Sequence, residues 1–311
     1  MKFICNPTTY GGRARKNWPK IILALKESGL DFEIEWTKGL GDATRITKES
    51  VDDHDILVSY GGDGTINEIL TGIGQTGFKS TLAIFPAGRG NDNAFNVRQT
   101  GKVEDIIDML QRKEHRLIDC TSIDNGKRYA IGICGAGIDG LISELVMGKS
   151  TRMSYNISIF RSIFMYRPRH MHVNIDDESI IRDLKALSIM ICNGQRAGNG
   201  QMMAPDAIID DGLLDIVILG NTNLIDTLVT SSKLGKGTHV THPKCEVLRG
   251  QRVEITTNAK KRVPTHAMGE ILGALPHTFE CLHNKLKILK MSDEILAREG
   301  WTNAKTFSEN L

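Results

Sequence analysis

A glycine-rich segment, residues 59–68, carries the clearest chemical signal in the chain. It reads Ser-Tyr-Gly-Gly-Asp-Gly-Thr-Ile-Asn-Glu, follows the apolar run 56–58 and opens a helical pattern. Glycines let the backbone turn tightly beside a ligand, and the amides of a helix N-terminus favour phosphate. Asp63 would repel phosphate there unless a metal ion or a proton transfer involves it. The segment predicts a triphosphate with magnesium; the alternative is an ordinary turn in which Asp63 caps the helix.

Two further loops follow apolar runs in the same way. Residues 86–92 (Pro-Ala-Gly-Arg-Gly-Asn-Asp) come after the run 82–85, and residues 6–12 (Asn-Pro-Thr-Thr-Tyr-Gly-Gly) come after residues 3–5. Loops at the carboxyl ends of neighbouring parallel strands form a cleft, which is the usual ligand position in an α/β sheet. Either loop alone is more typical of a plain turn. Their shared position after strands is what indicates a site.

The elements around these loops alternate between strands and helices. A helical pattern over residues 19–27 stops at Gly29, and residues 32–36 alternate apolar and acidic side chains, as a half-buried strand does. Such alternation predicts a mostly parallel sheet with helices on its faces.

From about residue 116 the pattern changes to successive strands. In this part of the chain, patterns typical of helices occur only at residues 153–166 and 223–233. The strand-like runs are residues 128–134, 170–175, 184–192, 214–219, 253–257 and 277–282. Short successive strands with turn residues between them predict an antiparallel β-sandwich. We therefore expect two domains that meet near residue 122.

Composition excludes several classes of protein. The 311 residues are 40% hydrophobic and 24% charged, as in globular proteins, and the net charge of +2 is too small to indicate a nucleic-acid partner. No run approaches the ~20 apolar residues of a membrane span, and the first residues do not read as a secretory signal. The six cysteines lack metal or redox spacing. We expect a cytoplasmic protein with reduced thiols.

The ordered motifs resemble those of the diacylglycerol kinase catalytic-domain family, which includes bacterial soluble diacylglycerol kinases and the sphingosine and ceramide kinases. Residues 6–7, 61–65 and 86–92 are similar to its successive motifs, and residues 198–207 with 210–215 are similar to its second-domain signature. The resemblance implies a nucleotide-binding α/β domain of the NAD-kinase and phosphofructokinase type over residues 1–122, completed by residues 290–311. It also implies an antiparallel β-sandwich over residues 123–289 for the lipid.

The resemblance implies an ATP-dependent lipid kinase that phosphorylates the hydroxyl of a membrane lipid, with diacylglycerol giving phosphatidate as the leading substrate. The residues that would contact ATP are Asn6, Pro7, Thr8, Thr9, Tyr10, Thr37, Gly61, Gly62, Asp63, Gly64, Thr65, Ile66, Asn67 and Arg89. An NAD-kinase-like enzyme and a catalytically silent regulator that binds nucleotide or lipid are the alternatives.

A structural magnesium is also implied by the resemblance. Asp211 and the carbonyls of Ile208 and Leu213 would hold it, with Asp63 and Asp119 joining through water. Carboxylate and carbonyl oxygens are the ligands that magnesium prefers. The alternative for residues 210–212 is a β-turn with solvated carboxylates.

The chain departs from the family pattern at two positions. Arg89 stands where the family usually has Thr, and Met268 stands where it commonly has the Asp of an Asp-Gly-Glu motif. Glu270 or Asp63 would then serve as the general base that deprotonates the lipid hydroxyl. The alternative for Glu270 is an ordinary surface position on a strand.

Residues 154–169 mix apolar bulk with arginines, which suits contact with an anionic bilayer. The alternative is a helix packed on the sandwich with solvated arginines. We expect no transmembrane segment, a peripheral position at the inner face of the membrane, and no nucleic-acid partner; a homodimer stays open.

Overall fold

The computed structural model describes residues 1–146, 152–177, 179–301 and 307. Most of the predicted carboxy-terminal segment after Trp301 therefore lies outside the described residues. Among those described, no helix combines the length and apolarity needed to cross a bilayer.

The amino-terminal part alternates strands and helices. Its elements are β1 (Lys2–Cys5), α1 (Arg13–Glu27), β2 (Glu33–Trp36), α2 (Asp42–Ser50), β3 (Ile56–Gly61), α3 (Asp63–Gln75), β4 (Thr81–Pro86), α4 (Asp92–Asn96) and α5 (Val103–Arg112). The strands pair in parallel in the order β2-β1-β3-β4. This is the parallel sheet that the alternating pattern predicts.

Both faces of this sheet are buried, because adjacent residues of each strand point to opposite sides. Ile4 and Leu57 pack with Ile66 of α3 on one face. Phe3 and Val58 pack on the other face in a cluster that includes α1, α5 and, further along the chain, Met291. The side chains of β1 and β3 therefore anchor the loops that follow them between two layers of helices.

The predicted start of α1 at residue 19 is wrong. The helix begins at Arg13, after Gly12 in a left-handed conformation (φ 85°), and Pro19 lies inside it. Proline favours the first turn of a helix, which made residue 19 a natural boundary. Burial of Ala14 and Trp18 against the sheet outweighs that local preference.

The rest of the chain is mainly antiparallel. Its strands are β5 (His115–Ile123), β6 (Arg128–Ala130), β7 (Ile133–Gly137), β8 (Arg169–Ile175), β9 (Ile180–Ala186), β10 (Ser188–Cys192), β11 (Arg196–Ala197), β12 (Gln201–Met202), β13 (Leu214–Leu219), β14 (Cys245–Gly250), β15 (Arg252–Thr256), β16 (Pro264–Ala267), β17 (Glu270–Ala274) and β18 (His277–Leu289). Its helices are α6 (Ile138–Val146), α7 (Arg152–Met165), α8 (Leu224–Lys233) and α9 (Asp293–Arg298), with short 3-10 turns at Leu234–Lys236 and Thr238–Thr241.

These strands form two facing layers. One sheet has the order β14-β13-β10-β7-β16-β17, and β8, β9 and β15 belong to the other. Met171 and Val173 of β8 pack against Ile189 and Ile191 of β10 in a shared core. The fold is thus an α/β domain followed by an antiparallel β-sandwich, as predicted.

The long strand β18 links the two parts. It pairs with β15 and β5, and its Ile288 lies beside Leu82 of β4, so the parallel strands and one sandwich layer form a continuous ten-stranded sheet. The predicted domain limits, residues 1–122 with 290–311 and residues 123–289, stay a prediction.

Two local predictions for this part are wrong. Residues 184–192 are not one strand, because the chain crosses from one layer to the other at Leu187, whose amide donates to the carbonyl of Leu219 (2.8 Å). Helix α6 lies outside the predicted helical segments. A Cβ atom at its Gly140 would lie 2.3 Å from the carbonyl oxygen of Pro264, so close packing on β16 places this helix.

Candidate active site

The glycine-rich loop lies where β3 ends and α3 begins. A Cβ atom at Gly61 would stand 2.5 Å from the Oγ1 of Thr65, and one at Gly88 would stand 2.8 Å from the Cα of Gly62. These distances are too short for real side chains, so the loop and residues 86–92 meet backbone to backbone. The amide of Ala87 also donates to the carbonyl of Gly61 (2.8 Å). Only glycine permits this approach.

The loop after β1 joins the same edge. Asn6 donates from Nδ2 to the Oγ1 of Thr65 (3.1 Å), and its own Oδ1 accepts from the amide and hydroxyl of Thr8 (3.0 and 2.8 Å). The guanidinium of Arg89 lies 5.4 Å from the centre of the Tyr10 ring. The three predicted loops are therefore neighbours at the carboxyl ends of parallel strands.

The other predicted nucleotide residues occupy mixed positions. Thr37 follows β2, and its amide donates to the carbonyl of Cys5 (2.9 Å). Thr9 lies beside the glycine loop, since its Cγ2 is 3.9 Å from a Cβ built at Gly62. Ile66 is buried in the hydrophobic core, so only its backbone can face a ligand. Pro7 lies between Asn6 and Thr8 in the first loop.

Asp63 is the first residue of α3, and the N-cap position before it is Gly62. Its Oδ1 accepts from the amide and the Nδ2 of Asn93 (3.1 and 3.0 Å), in the neighbouring helix α4. Burial raises the pKa of the Asp63 carboxyl; the Asn93 bonds oppose this rise, and the charge of Asp92 adds to it. A turn in which Asp63 caps the helix does not describe this geometry.

Glu270 brings a second carboxylate to the loop from the sandwich. It follows a tight turn at Met268 and Gly269, both with positive φ (49° and 82°). Its Oε2 accepts from the Nδ2 of Asn67 (2.6 Å), and its Oε1 would lie 3.1 Å from a Cβ at Gly64. Glu270 thus faces the first turn of α3 and is not a solvated strand residue.

The surroundings of Glu270 change its acidity. Burial raises the pKa of Glu270 to about 7, while the charge of Arg128 and the Asn67 hydrogen bond act in the opposite direction. The Nη1 of Arg128 lies 3.7 Å from its Oε2. A carboxyl with a pKa near neutrality can exchange a proton at physiological pH, which is the property required of a general base. Sequence reasoning missed Asn67 and Arg128 as its partners, since neither lies near it in the chain.

A second contact across the junction centres on Asp92. Its Oδ2 accepts from the amide of Asn199 (2.7 Å), and its Oδ1 accepts from the amide of Gly200 (2.9 Å) and pairs with the Nε of Arg196 (3.0 Å). Asn199 adopts a positive φ of 67°. The Gly-Asn-Gly signature of residues 198–200 therefore binds the end of the loop formed by residues 86–92. No local signal in the sequence predicts this pairing.

The predicted metal residues lie around a separate group of carboxylates. Asp119 is fully buried and accepts from the amides of Gly212 (2.6 Å) and Asn284 (2.7 Å) and from the ring of His283 (2.9 Å). Asp211 accepts from the amide of Leu213 (3.1 Å) and forms an ion pair with Arg249.

Asp215 completes this group. The Nε of Arg249 lies 3.4 Å from its Oδ1. Burial raises the pKa of Asp215 to about 6, and the charge of Arg249 opposes that rise. The guanidinium of Arg249 therefore lies between two carboxylates and compensates their charge.

This arrangement can be compared with the needs of magnesium. The oxygen donors of Asp211 and the turn from Ile208 to Leu213 are of the right type. Within the described part of the chain, however, no three His, Cys, Asp or Glu side chains are arranged to hold a metal ion. A cation at Asp211 would have to displace Arg249, whose side chain is 40% exposed and so has room to move. The residues fit magnesium only with that exchange.

Cavity size does not identify the site. The larger cavity, about 700 Å³, lies beside Met1, Ile56 and Thr81, at the edge where the parallel strands begin. A smaller one, about 330 Å³, is lined by Gly90, Asn91 and Trp301. The site is recognised by its convergent loops and carboxylates, as expected for an open cleft at the carboxyl ends of strands.

Comparison with known proteins identifies the family. The sequence profile of the diacylglycerol kinase catalytic domain matches residues 1–123, and that of the YegS C-terminal NAD kinase beta sandwich-like domain matches residues 132–290. The diacylglycerol kinase of Bacillus subtilis strain 168 is 26% identical over 297 residues, covering 93% of this chain and 95% of the relative. That of Staphylococcus saprophyticus is 24% identical over 297 residues, covering 94% and 95%.

Solved structures show the same fold. A crystal structure described as a diacylglycerol kinase of Bacillus anthracis superposes with a TM-score of 0.71 at 18% identity, and another from that organism reaches 0.77 at 20%. Each alignment covers 94% of this chain and 97% of the other. The two profiles match in the order of the two observed domains, and together with this fold they show that the chain belongs to the diacylglycerol kinase catalytic-domain family.

Proposed function

We propose that this protein is an ATP-dependent lipid kinase that transfers the γ-phosphate of ATP to the free hydroxyl of diacylglycerol and forms phosphatidate. Family membership supports a lipid kinase. The observation that carries the finer assignment is the position of Glu270. It comes from the sandwich, carries a pKa of about 7, and faces the first turn of the glycine loop in the α/β domain.

The phosphates of ATP would lie on the glycine loop. The first amides of α3 have no partner within the helix, and the helix dipole adds partial positive charge at that end. The Asn6–Thr65 bond fixes the neighbouring loop, and Arg89 extends from the loop of residues 86–92 on the same edge. A guanidinium offers several donors to phosphate oxygens. These groups bind and orient the triphosphate, which is the main contribution of a protein to phosphoryl transfer.

Glu270 would take the proton of the lipid hydroxyl. In the transfer, a bond forms between the lipid oxygen and the γ-phosphorus, the bond from that phosphorus to the bridging oxygen breaks, and ADP leaves. The hydroxyl proton goes to Glu270. The Asn67 amide holds the carboxylate in place (2.6 Å), and Arg128 limits the rise of its pKa. Met268 packs against apolar neighbours of both cores, so it offers no substitute for the acid found in relatives.

Magnesium would neutralise the charge of the phosphates, as it does in other phosphoryl transfers. Asp63 lies in the loop where that charge would gather. Asp211 would hold a second, structural ion once Arg249 is displaced. Magnesium binding near Asp63 and at Asp211 is part of this proposal.

Transfer of radiolabelled phosphate from ATP to diacylglycerol in mixed micelles tests the function. We expect labelled phosphatidate from the native protein and strongly reduced product from Asp63→Asn and Glu270→Gln. Glu254→Gln, at an exposed carboxylate of β15, is the matched control and should behave like the native protein. Label on NAD would instead indicate an NAD-kinase-like enzyme. ATP binding without label on any acceptor would favour the silent regulator.

A further inference from the structure

Helix α7 exposes large apolar side chains and buries two serines. Ser158 and Ser162 are buried, whereas Ile157, Phe160 and Phe164 are about half exposed. Both buried hydroxyls have acceptors, since Ser162 donates to the carbonyl of Ser158 (2.8 Å) and Ser158 donates to that of Leu145 in α6 (3.1 Å). Ile163 of the helix and Tyr166, which follows it, are also buried in an apolar cluster with Ile138 and Leu187, so the exposed phenyl and aliphatic side chains form a second apolar side that this packing does not cover.

Helix α8 also buries hydroxyl side chains and exposes aliphatic ones. Thr227 and Thr230 are buried and donate to carbonyls of the preceding turn (2.8 and 2.6 Å). The exposed side of the helix is aliphatic, and Ile225 is 72% exposed. The large exposed residues of α8 are Leu224, Ile225, Leu228 and Val229.

The two helices contact each other. We define the α7–α8 face as Ile157, Phe160, Phe164, Met165, Leu224, Ile225, Leu228 and Val229. Single exposed apolar residues are ordinary on a protein surface. Eight large exposed apolar residues on two helices that contact each other indicate an interaction site.

The charges around this face are positive. Residues 152–170 contain four arginines and no acid, and residues 224–244 contain three lysines and one acid. That acid, Asp226, is paired with Lys244 (2.5 Å). A second copy of the chain would bring like charges together across such a face, whereas an anionic surface complements it.

We propose that the α7–α8 face docks the protein on an anionic lipid bilayer, with the aliphatic and phenyl side chains in the acyl boundary and the arginines and lysines at the headgroups. This is the geometry of helices that lie in a membrane interface. This inference rests on the proposed function, because it takes the bilayer to be the source of the lipid substrate.

The face is connected to the candidate site. Helix α7 packs on α6, and α6 packs on β16 and β17, between which the turn to Glu270 lies. His266 of β16 contacts Asp139 of α6 (3.2 Å) and accepts the amide of Gly269 in that turn (3.2 Å). Docking through α7 would therefore leave α6 between the bilayer and the strands that flank the proposed general base.

Sedimentation with vesicles of phosphatidylcholine, with and without phosphatidylglycerol, tests the docking directly. We expect the native protein to bind the anionic vesicles, and binding to weaken with salt or without phosphatidylglycerol. The double variants Phe160→Ser with Phe164→Ser, and Ile225→Ser with Leu228→Ser, should each reduce partitioning at least tenfold. Ile181→Ser, at an exposed apolar residue of the edge strand β9, should change it less than twofold.

Native-like vesicle binding by both double variants, or no binding by the native protein, would overturn the proposal. A dimer in solution that both double variants abolish would instead assign the face to self-association.

Kinase assays separate this inference from the proposed function. The variants should lose activity on diacylglycerol in vesicles yet keep activity on a short-chain, monomeric diacylglycerol. A native protein inactive on both lipids would contradict the proposed function, while the vesicle result would still decide the docking.

Discussion

The junction of the two domains holds two sets of carboxylates whose hydrogen bonding differs. Asp119 is surrounded by amide donors and a histidine ring, and Asp211 is paired with an arginine. Asp63 accepts hydrogen bonds from Asn93, Glu270 accepts one from Asn67 on a single oxygen, and burial raises the pKa of both.

The difference distinguishes carboxylates that stabilise the fold from carboxylates that can take part in a reaction. A buried carboxylate with all its oxygens satisfied holds chain segments together, and its loss costs stability. A buried carboxylate with an oxygen left to bond and a raised pKa remains able to bind a cation or accept a proton. Each set can therefore be tested by removing its charge while keeping its shape.

Asp63→Asn should have the largest effect. We expect phosphoryl transfer to fall roughly a hundredfold or more, as for the loss of one group that stabilises a transition state, because Asp63 lies among the glycines of residues 61–64. Radiolabel transfer measures the rate, and thermal melting checks the fold. Asp52→Asn, at an exposed acid, is the control. Near-native turnover with an unchanged melting curve would show that the active site lies elsewhere.

Glu270→Gln should lower the rate by about a hundredfold and flatten its pH dependence, as loss of a general base does. The pKa of Glu270 is raised from 4.5 to about 7, so the native rate should rise with pH up to about 7 and then level off. A pH–rate profile that is the same for both proteins would remove Glu270 from the proton transfer.

The same pKa makes a prediction about stability. Between pH 4.5 and 7 the folded state holds the Glu270 proton more tightly than the unfolded state does. The contribution of this protonated carboxyl to the free energy of unfolding is therefore complete below pH 4.5 and is lost as the pH rises through 7. Denaturant unfolding of Glu270→Gln should therefore show a smaller loss of stability over this range than the native protein shows. Parallel curves would contradict the raised pKa.

Asp119→Asn should act on stability. The Asn side chain keeps one acceptor oxygen and places its NH₂ donor against backbone N–H groups. We therefore expect the free energy of unfolding to fall by about 2–4 kcal/mol. Urea unfolding measures it, and Glu280→Gln on the exposed side of β18 serves as control. A change no larger than that of the control would mean that the bonds from Gly212 and Asn284 are dispensable.

Magnesium should produce a smaller shift that depends on Arg249. A ligand that binds only the folded state raises its stability. We expect magnesium to raise the melting temperature of Arg249→Ala by more than that of the native protein, because the competing guanidinium is gone. Asp211→Ala should not respond. Equal shifts in all three proteins would exclude Asp211 from any metal site.

Arg89→Thr should have the smallest effect. Loss of the guanidinium should weaken ATP binding several-fold and AMP binding less, because a cation with several donors favours the triphosphate. Calorimetric titration of both nucleotides into both proteins measures the difference. Tighter ATP binding by the Thr variant would mean that Arg89 blocks the nucleotide site.

Local patterns predicted much of the α/β domain. Glycine requirements, apolar runs and helix periodicity are properties of short segments, so the three loops, their strands and the parallel sheet followed from residues 3–92. The sandwich strand at residues 214–219 was predicted with its observed limits. The break at Leu187 and the helix α6 were missed because each depends on a partner far away in the chain.

The sequence by itself determined that glycine-rich loops follow parallel strands, because glycine conformation and strand order depend on short segments of the chain. Only the tertiary structure decided which acids are buried with a raised pKa. Glu270 reaches Gly64, Asp92 reaches Asn199, and Arg249 reaches Asp211 through packing of two domains. Burial and hydrogen-bond partners set the acidity of a carboxylate, and both depend on residues that are distant in the chain.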